Sequence, residues 1–258
     1  MTRHRYLFSQ LVRRELRRKY KGSTLGVLWY LINPLVLLAA YTLMFGHVFH
    51  IQKHSDFPLF LMIGLMVWTF FAQSLLSAAD SLIDQGPLIR KARFPRETVP
   101  GATVVVQLVT FAALLVVVAP LTFALRGTLS TAVLLLPVLV VALFAFVLGC
   151  AMVVAVLHAY FRDVAPTLAA ALLPWFFLSP IFFSPADSAF LAQHPTLLAL
   201  LTWVNPVAPF IESLRAVLYD GTAPHVGQLV YVVAVGALAL LAGRVIFRRL
   251  EGDLAVVV

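Results

Sequence analysis

The chain has 258 residues, 62% of them hydrophobic and 12% charged, with a formal net charge of +8. That composition excludes a water-soluble domain and leaves no room for a soluble catalytic domain beside the apolar segments. Basic charge in a soluble protein would suggest nucleic acid. Here it flanks apolar runs, so it reads as orientation and contact with membrane lipids, with no nucleic acid partner.

Seven stretches lack Asp, Glu, Lys and Arg: 22–52, 57–79, 98–125, 127–161, 164–186, 188–211 and 221–243. Each exceeds the roughly 20 helical residues that cross a bilayer core. The expected fold is an all-α integral membrane protein, with one transmembrane domain over 1–258 and no linker or internal repeat.

Residues 1–22 predict an amphipathic helix in the interface plane. Leu7, Phe8, Leu11, Val12 and Leu16 share one arc, with Arg13, Arg14, Arg17 and Lys21 opposite. Tyr20 closes it before a Gly22-Ser23 turn. This helix is either a plain topology anchor or a rim for a cytoplasmic partner or an anionic headgroup. The apolar run that follows is too long for a signal peptide, so a retained first span is expected. It holds Trp29, Tyr30 and Pro34, and ends in His47, His50 and His54. Those histidines read as an interfacial polar rim, with no metal site.

The second span ends at Asp80 and Asp84, which read as helix capping. Residues 80–100 form a basic cytoplasmic loop containing Arg90, Lys91, Arg93, Phe94, Pro95, Arg96 and Glu97. An exposed Phe beside Pro suits docking into a partner's pocket. The lone cysteine, Cys150, reads as inert and buried. A short turn, Phe161-Arg162-Asp163, leads into an aromatic-rich span with Trp175, Phe176, Phe182 and Phe183.

Residues 188–211 read badly as a span, because Pro195, Pro206 and Pro209 each delete a helix donor. An outer re-entrant pair of short helices is expected over 188–220, with Glu212 and Arg215 paired locally; the alternative is an external loop lying on the membrane surface. If that segment does not cross, there are six crossings. Lys and Arg then divide sixteen on one side against three on the other; seven crossings give fourteen against five. The positive-inside rule favours six, with both termini cytoplasmic.

The run 21–34, Phe94-Pro95-Arg96-Glu97, Phe161-Arg162-Asp163 and Trp203-x-Asn205-Pro206 occur in that order. Together they resemble the permease subunits of ABC exporters for cell-surface polysaccharides such as O-antigen, capsule, teichoic acid and galactan. The resemblance covers essentially the whole chain. It implies a homodimer in the cytoplasmic membrane, bound to two copies of a separate ABC ATPase, moving a lipid-linked polysaccharide. The 90–97 loop with Arg162 and Asp163 would touch the ATPase. Trp203, Asn205 and Pro206 would help close the outer mouth. Trp29, Tyr30, Trp175, Phe176 and Phe182 would line the sugar path. There is no Gly-Lys dipeptide, hence no Walker-type phosphate loop. ATP and Mg would be bound by the partner, and this chain would hold no cofactor and catalyse nothing. A drug or lipid exporter of the same architecture is the nearest variant. A transferase on lipid-linked sugars would want paired acids or a His–acid pair near membrane depth, and an ion-coupled transporter would want intramembrane ionisable groups; the spans hold neither.

Overall fold

The computed structural model describes residues 2–20, 29–48, 56–91, 94–185 and 188–254. Lys21, Gly22, Ser23, His50, His54 and Arg93 lie outside the described residues, as do the side chains of Tyr20, Tyr30 and His47. Among the described residues the fold is all-α, without strands.

The helices in chain order are α1 (Thr2–Tyr20), α2 (Trp29–Tyr41), α3 (Phe57–Asp84), α4 (Gly86–Lys91), α5 (Thr98–Arg126) and α6 (Leu136–Tyr160). They continue with α7 (Val164–Leu178), α8 (Ala189–Ala192), α9 (Pro195–Ala199), α10 (Ala208–Leu218) and α11 (Val226–Leu250). Helix α2 runs through Pro34 into a π-helical turn, Thr42–Val48. Helix α5 stops at Gly127, whose φ of 65° is the left-handed cap that a side chain would strain.

Four helical stretches are long and apolar enough to cross a membrane alone: Phe57–Asp84, Thr98–Arg126, Thr131–Tyr160 and Val226–Leu250. Ile32–Phe45 and Val164–Leu178 are apolar but shorter. Pro195–Val204 and Ala208–Leu218 form a pair bent by 84°. That bend is the pair of short helices expected from the prolines of 188–211.

Helix α3 is the hub. The apolar window within it is 83% buried, against 17% for α11, so α3 packs on protein around most of its circumference while α11 leaves most of its surface uncovered by this chain. Phe71 stacks on Phe146 of α6 at 5.7 Å, and Phe70 meets Phe111 of α5 at 5.3 Å. Helices α6 and α11 run parallel through glycines. A Cβ on Gly236 would lie 2.5 Å from the Ala142 carbonyl oxygen, and one on Gly243 would strike Gly149. Association in lipid relies on such close backbone approach, because lipid tails supply no hydrophobic drive.

The bundle has two chemically distinct ends. At one, the end of α3 meets α1, the 94–97 loop meets the end of α11, and the α6–α7 turn lies beside Asp80. At the other, Arg126 pairs with Asp56 at 2.7 Å and bonds the Tyr219 carbonyl. Among the described residues, the basic residues of α1, of positions 90, 91 and 96, of the α6–α7 turn and of the end of α11 lie at the first, basic end.

The apolar arc of α1 packs on protein: Leu11 is buried, and Phe8 packs beside Gly101 of α5. Burying that arc against a neighbouring helix satisfies the same amphipathic pattern. One expectation needs correction. Asp80 and Asp84 do not cap α3, since a carboxylate is unfavourable at a helix C-terminus. Asp84 instead pairs with Arg18 at 2.7 Å, and Asp80 lies 3.4 Å from His158.

Candidate functional site

Three cavities adjoin in series along the faces of α3 and α5. The first, about 320 Å³, lies at the basic end between α1, α3 and α5, walled by Glu15, Arg18, Asp80, Asp84, Gln85 and Gln107. The second, about 380 Å³, shares Gln73 and Gln107 with it and adds Trp29 and Asn33 of α2. The third, about 510 Å³, shares Leu114 with the second, is almost wholly apolar, and reaches Asp56 at the opposite end.

A polar stripe on α3 explains the first two. Thr69, Gln73, Ser77, Asp80 and Asp84 recur every three or four residues and so share one helix face. Gln107 of α5 donates to Ser77 across the groove at 2.9 Å. This stripe was readable in the sequence as polar residues at helical spacing within 57–84, but the aromatic residues drew the sequence reading away from it. The stripe is closed over by α1, through Arg18–Asp84 and a 3.0 Å bond from Gln85 to Glu15. Asp84, by its hydrogen bond and charge, raises the Arg18 pKa above its ordinary value.

Of the five aromatic residues assigned to a sugar path, Tyr30 has a side chain outside the described residues, and Trp29 lies apart from Trp175, Phe176 and Phe182. Trp29 is partly exposed in the second cavity. Trp175, Phe176 and Phe182 belong to a cluster joining α2, α3 and α7. There Phe176 lies 5.7 Å from Tyr41, Phe182 lies 4.3 Å from Phe45, and Trp175 meets Phe71 edge-on at 5.2 Å. Phe176 and Phe182 are buried within it.

That cluster is tied to the bent pair. The Trp175 indole donates to Asn205 Oδ1 at 3.0 Å, and Asn205 Nδ2 donates to Ser179 Oγ at 3.0 Å. The same Oδ1 accepts from the Val207 amide, so one side chain satisfies the corner between α9 and α10. Trp203 is exposed, edge-on to Tyr231 of α11, and Pro206 sits in the turn itself.

The centre of this end is Arg215, only 2% exposed. It pairs with Glu212 at 3.1 Å, as its sequence position suggested. It also donates to the carbonyls of Pro180 at 2.5 Å, Ile181 at 2.6 Å and Phe60 at 3.3 Å, and stacks 3.6 Å over the Phe60 ring. A Cβ on Gly64 would lie 2.8 Å from its guanidinium, so Gly64 makes room for it. Sequence reasoning saw the ion pair and missed that this cation joins α3, the irregular segment after α7, and α10.

At the basic end, Arg13, Arg14 and Arg17 are exposed on α1. In the loop, Arg90, Lys91 and Pro95 are exposed, but Phe94 is half-buried against the core. Arg96 bonds the Glu251 carbonyl, and Glu97 lies 3.3 Å from Arg244 and 3.7 Å from Arg248. Phe161 is exposed at this end, at 65%, beside exposed Arg162 and Asp163. His158 anchors that turn: its Nδ1 accepts the Ala165 amide at 3.2 Å while Nε2 faces Asp80.

Residues 6–219 match the family described as ABC-2 type transporter. The O-antigen export system permease protein RfbA of Myxococcus xanthus is 30% identical over 255 residues, covering 99% of this chain and 96% of that protein. Two proteins of the same name from Klebsiella pneumoniae are 27% identical over 250 and 251 residues, covering 95% of this chain and 93% of theirs. With the family match running through every helix from α1 to α10, and apolar helices fit to span a bilayer, the chain belongs to the ABC-2 type transporter family and is a multi-pass membrane permease.

Proposed function

We propose that this chain is the channel-forming subunit of an exporter that moves a lipid-linked cell-surface polysaccharide, of O-antigen, teichoic acid or galactan type, across the cytoplasmic membrane. The observation that carries this reading is the near-full-length similarity to O-antigen export permeases. The charge asymmetry of the two ends supports six crossings with both termini cytoplasmic. Two copies assemble as a homodimer, and each binds one separate ABC ATPase that holds ATP and Mg. A twofold ATPase pair calls for an isologous permease pair.

Phe161, Arg162 and Asp163, with Arg90, Lys91 and Pro95, form the docking surface for that ATPase. Phe94, Arg96 and Glu97 act from behind, holding the loop to α11. Trp203, Asn205 and Pro206 close the outer mouth. A long polymer needs weak, repeated contacts that guide without trapping. The three cavities in series, Trp29 among their walls, suit that requirement.

The test is deletion of this chain from its own cells, followed by restoration. Loss of surface polysaccharide on deletion and its return on restoration is the expected result. The purified chain should hydrolyse no ATP alone and should co-purify with an ATPase. Unchanged surface polysaccharide after deletion would end the proposal.

A further inference from the structure

The first cavity is rich in acceptors and poor in donors. Three carboxylates, Glu15, Asp80 and Asp84, share its wall with one guanidinium, Arg18. Gln85, also in that wall, is 3% exposed and spends its amide donor on Glu15. Its Oε1 is buried with no hydrogen-bond partner among the described residues. A buried acceptor left so calls for a ligand or water that donates.

The chemistry narrows the occupant. Excess negative charge disfavours a phosphate. No group of three His, Cys, Asp or Glu among the described residues could hold a metal ion. The volume of about 320 Å³ falls in the range of small-ligand sites, roughly 300–1,000 Å³. Deeper in, the wall turns to the amides and hydroxyl of Gln73, Gln107 and Ser77, and the adjoining cavity offers the Trp29 ring. Carboxylates and amides accept adjacent hydroxyls, and a flat ring packs on a sugar face.

We propose that the cavity beneath α1 binds the hydroxyls of an uncharged sugar unit of the exported chain, with its acidic wall turning the anionic lipid phosphate away. This rests on the export reading above. Sugar is engaged by α3 and α5 at the basic end, while the buried aromatic cluster of α7 holds the fold.

The experiment places photo-reactive p-benzoylphenylalanine at position Gln73, which lines both cavities, and separately at Val141, an exposed α6 position away from them. Both run in cells lacking their own copy, with the unmodified chain in parallel. Irradiation should give a high-mass adduct at Gln73 alone, shortened by periodate, which cleaves vicinal diols. Gln85→Met should lower both adduct and surface polymer about fivefold, the worth of one hydrogen bond, with a fall in unfolding temperature in detergent no larger than that of Glu15→Ala, which breaks the same α1 contact. Asp80→Asn should lower both as well. A periodate-resistant adduct of lipid mass, or no adduct while the polymer is exported, overturns the sugar site and leaves the export reading standing. Export failing to depend on the unmodified chain overturns the export reading itself.

Discussion

Arg215→Met is the most informative single change. The guanidinium makes five hydrogen bonds: to the carbonyls of Phe60, Pro180, Ile181 and Phe183, and to Glu212. Bonds to a charged group are worth about 1.5–3 kcal/mol each before the cost of burying the charge. That burial cost removes much of the sum, so the pair as a whole adds little over a well-packed apolar core. Removing one partner is different, because Glu212 and the two short carbonyl contacts lose their donor. The expected loss is about 3–5 kcal/mol, a fall in unfolding temperature on the order of 10 °C. Thermal unfolding in detergent, followed by Trp fluorescence, measures it, since Trp68 and Trp175 sit in the adjoining cluster at 6.2 Å from each other. Arg215→Lys keeps the charge without the fork and should fall between. Adding Glu212→Gln to Arg215→Met should recover part of the loss. If Arg215→Met unfolds within about 1 kcal/mol of the parent, its burial cost cancels its bonds and it joins nothing.

Three further outcomes are expected. Gly149→Ala and Gly243→Ala should each cost about 1–3 kcal/mol through overpacking, yet the double variant should cost less than the sum. A Cβ on Gly243 meets the Gly149 carbonyl carbon at 2.8 Å, so one widening of the α6–α11 gap relieves both; strict additivity in a double-mutant cycle of unfolding refutes this. Phe161→Asp should lower recovery of the partner ATPase about tenfold without moving the unfolding temperature, as an exposed anchor does. Phe94→Asp should lower the unfolding temperature, because its ring is half-buried; the reverse pattern would return docking to Phe94.

The all-α membrane fold was legible from charge spacing alone, because a bilayer penalises every centred charge and every unpaired backbone group. The same arithmetic foretold the basic end, and the prolines of 188–211 foretold the bend between α9 and α10. Those are local properties, and a linear sequence states them. Partner choice is not local. Phe94 beside Pro95 looked exposed on the page, yet the loop folds onto α11 and leaves Phe161 outward. Arg215 looked like half of a simple ion pair, yet its other donors reach carbonyls more than thirty residues away in the chain. Trp29 and Trp175 looked alike, but packing put one in a cavity and hydrogen-bonded the other to Asn205. Polar stripe and apolar arc were both written at helical spacing; only the tertiary structure decided which helix would cover each, because covering is a property of two surfaces and the sequence displays one at a time.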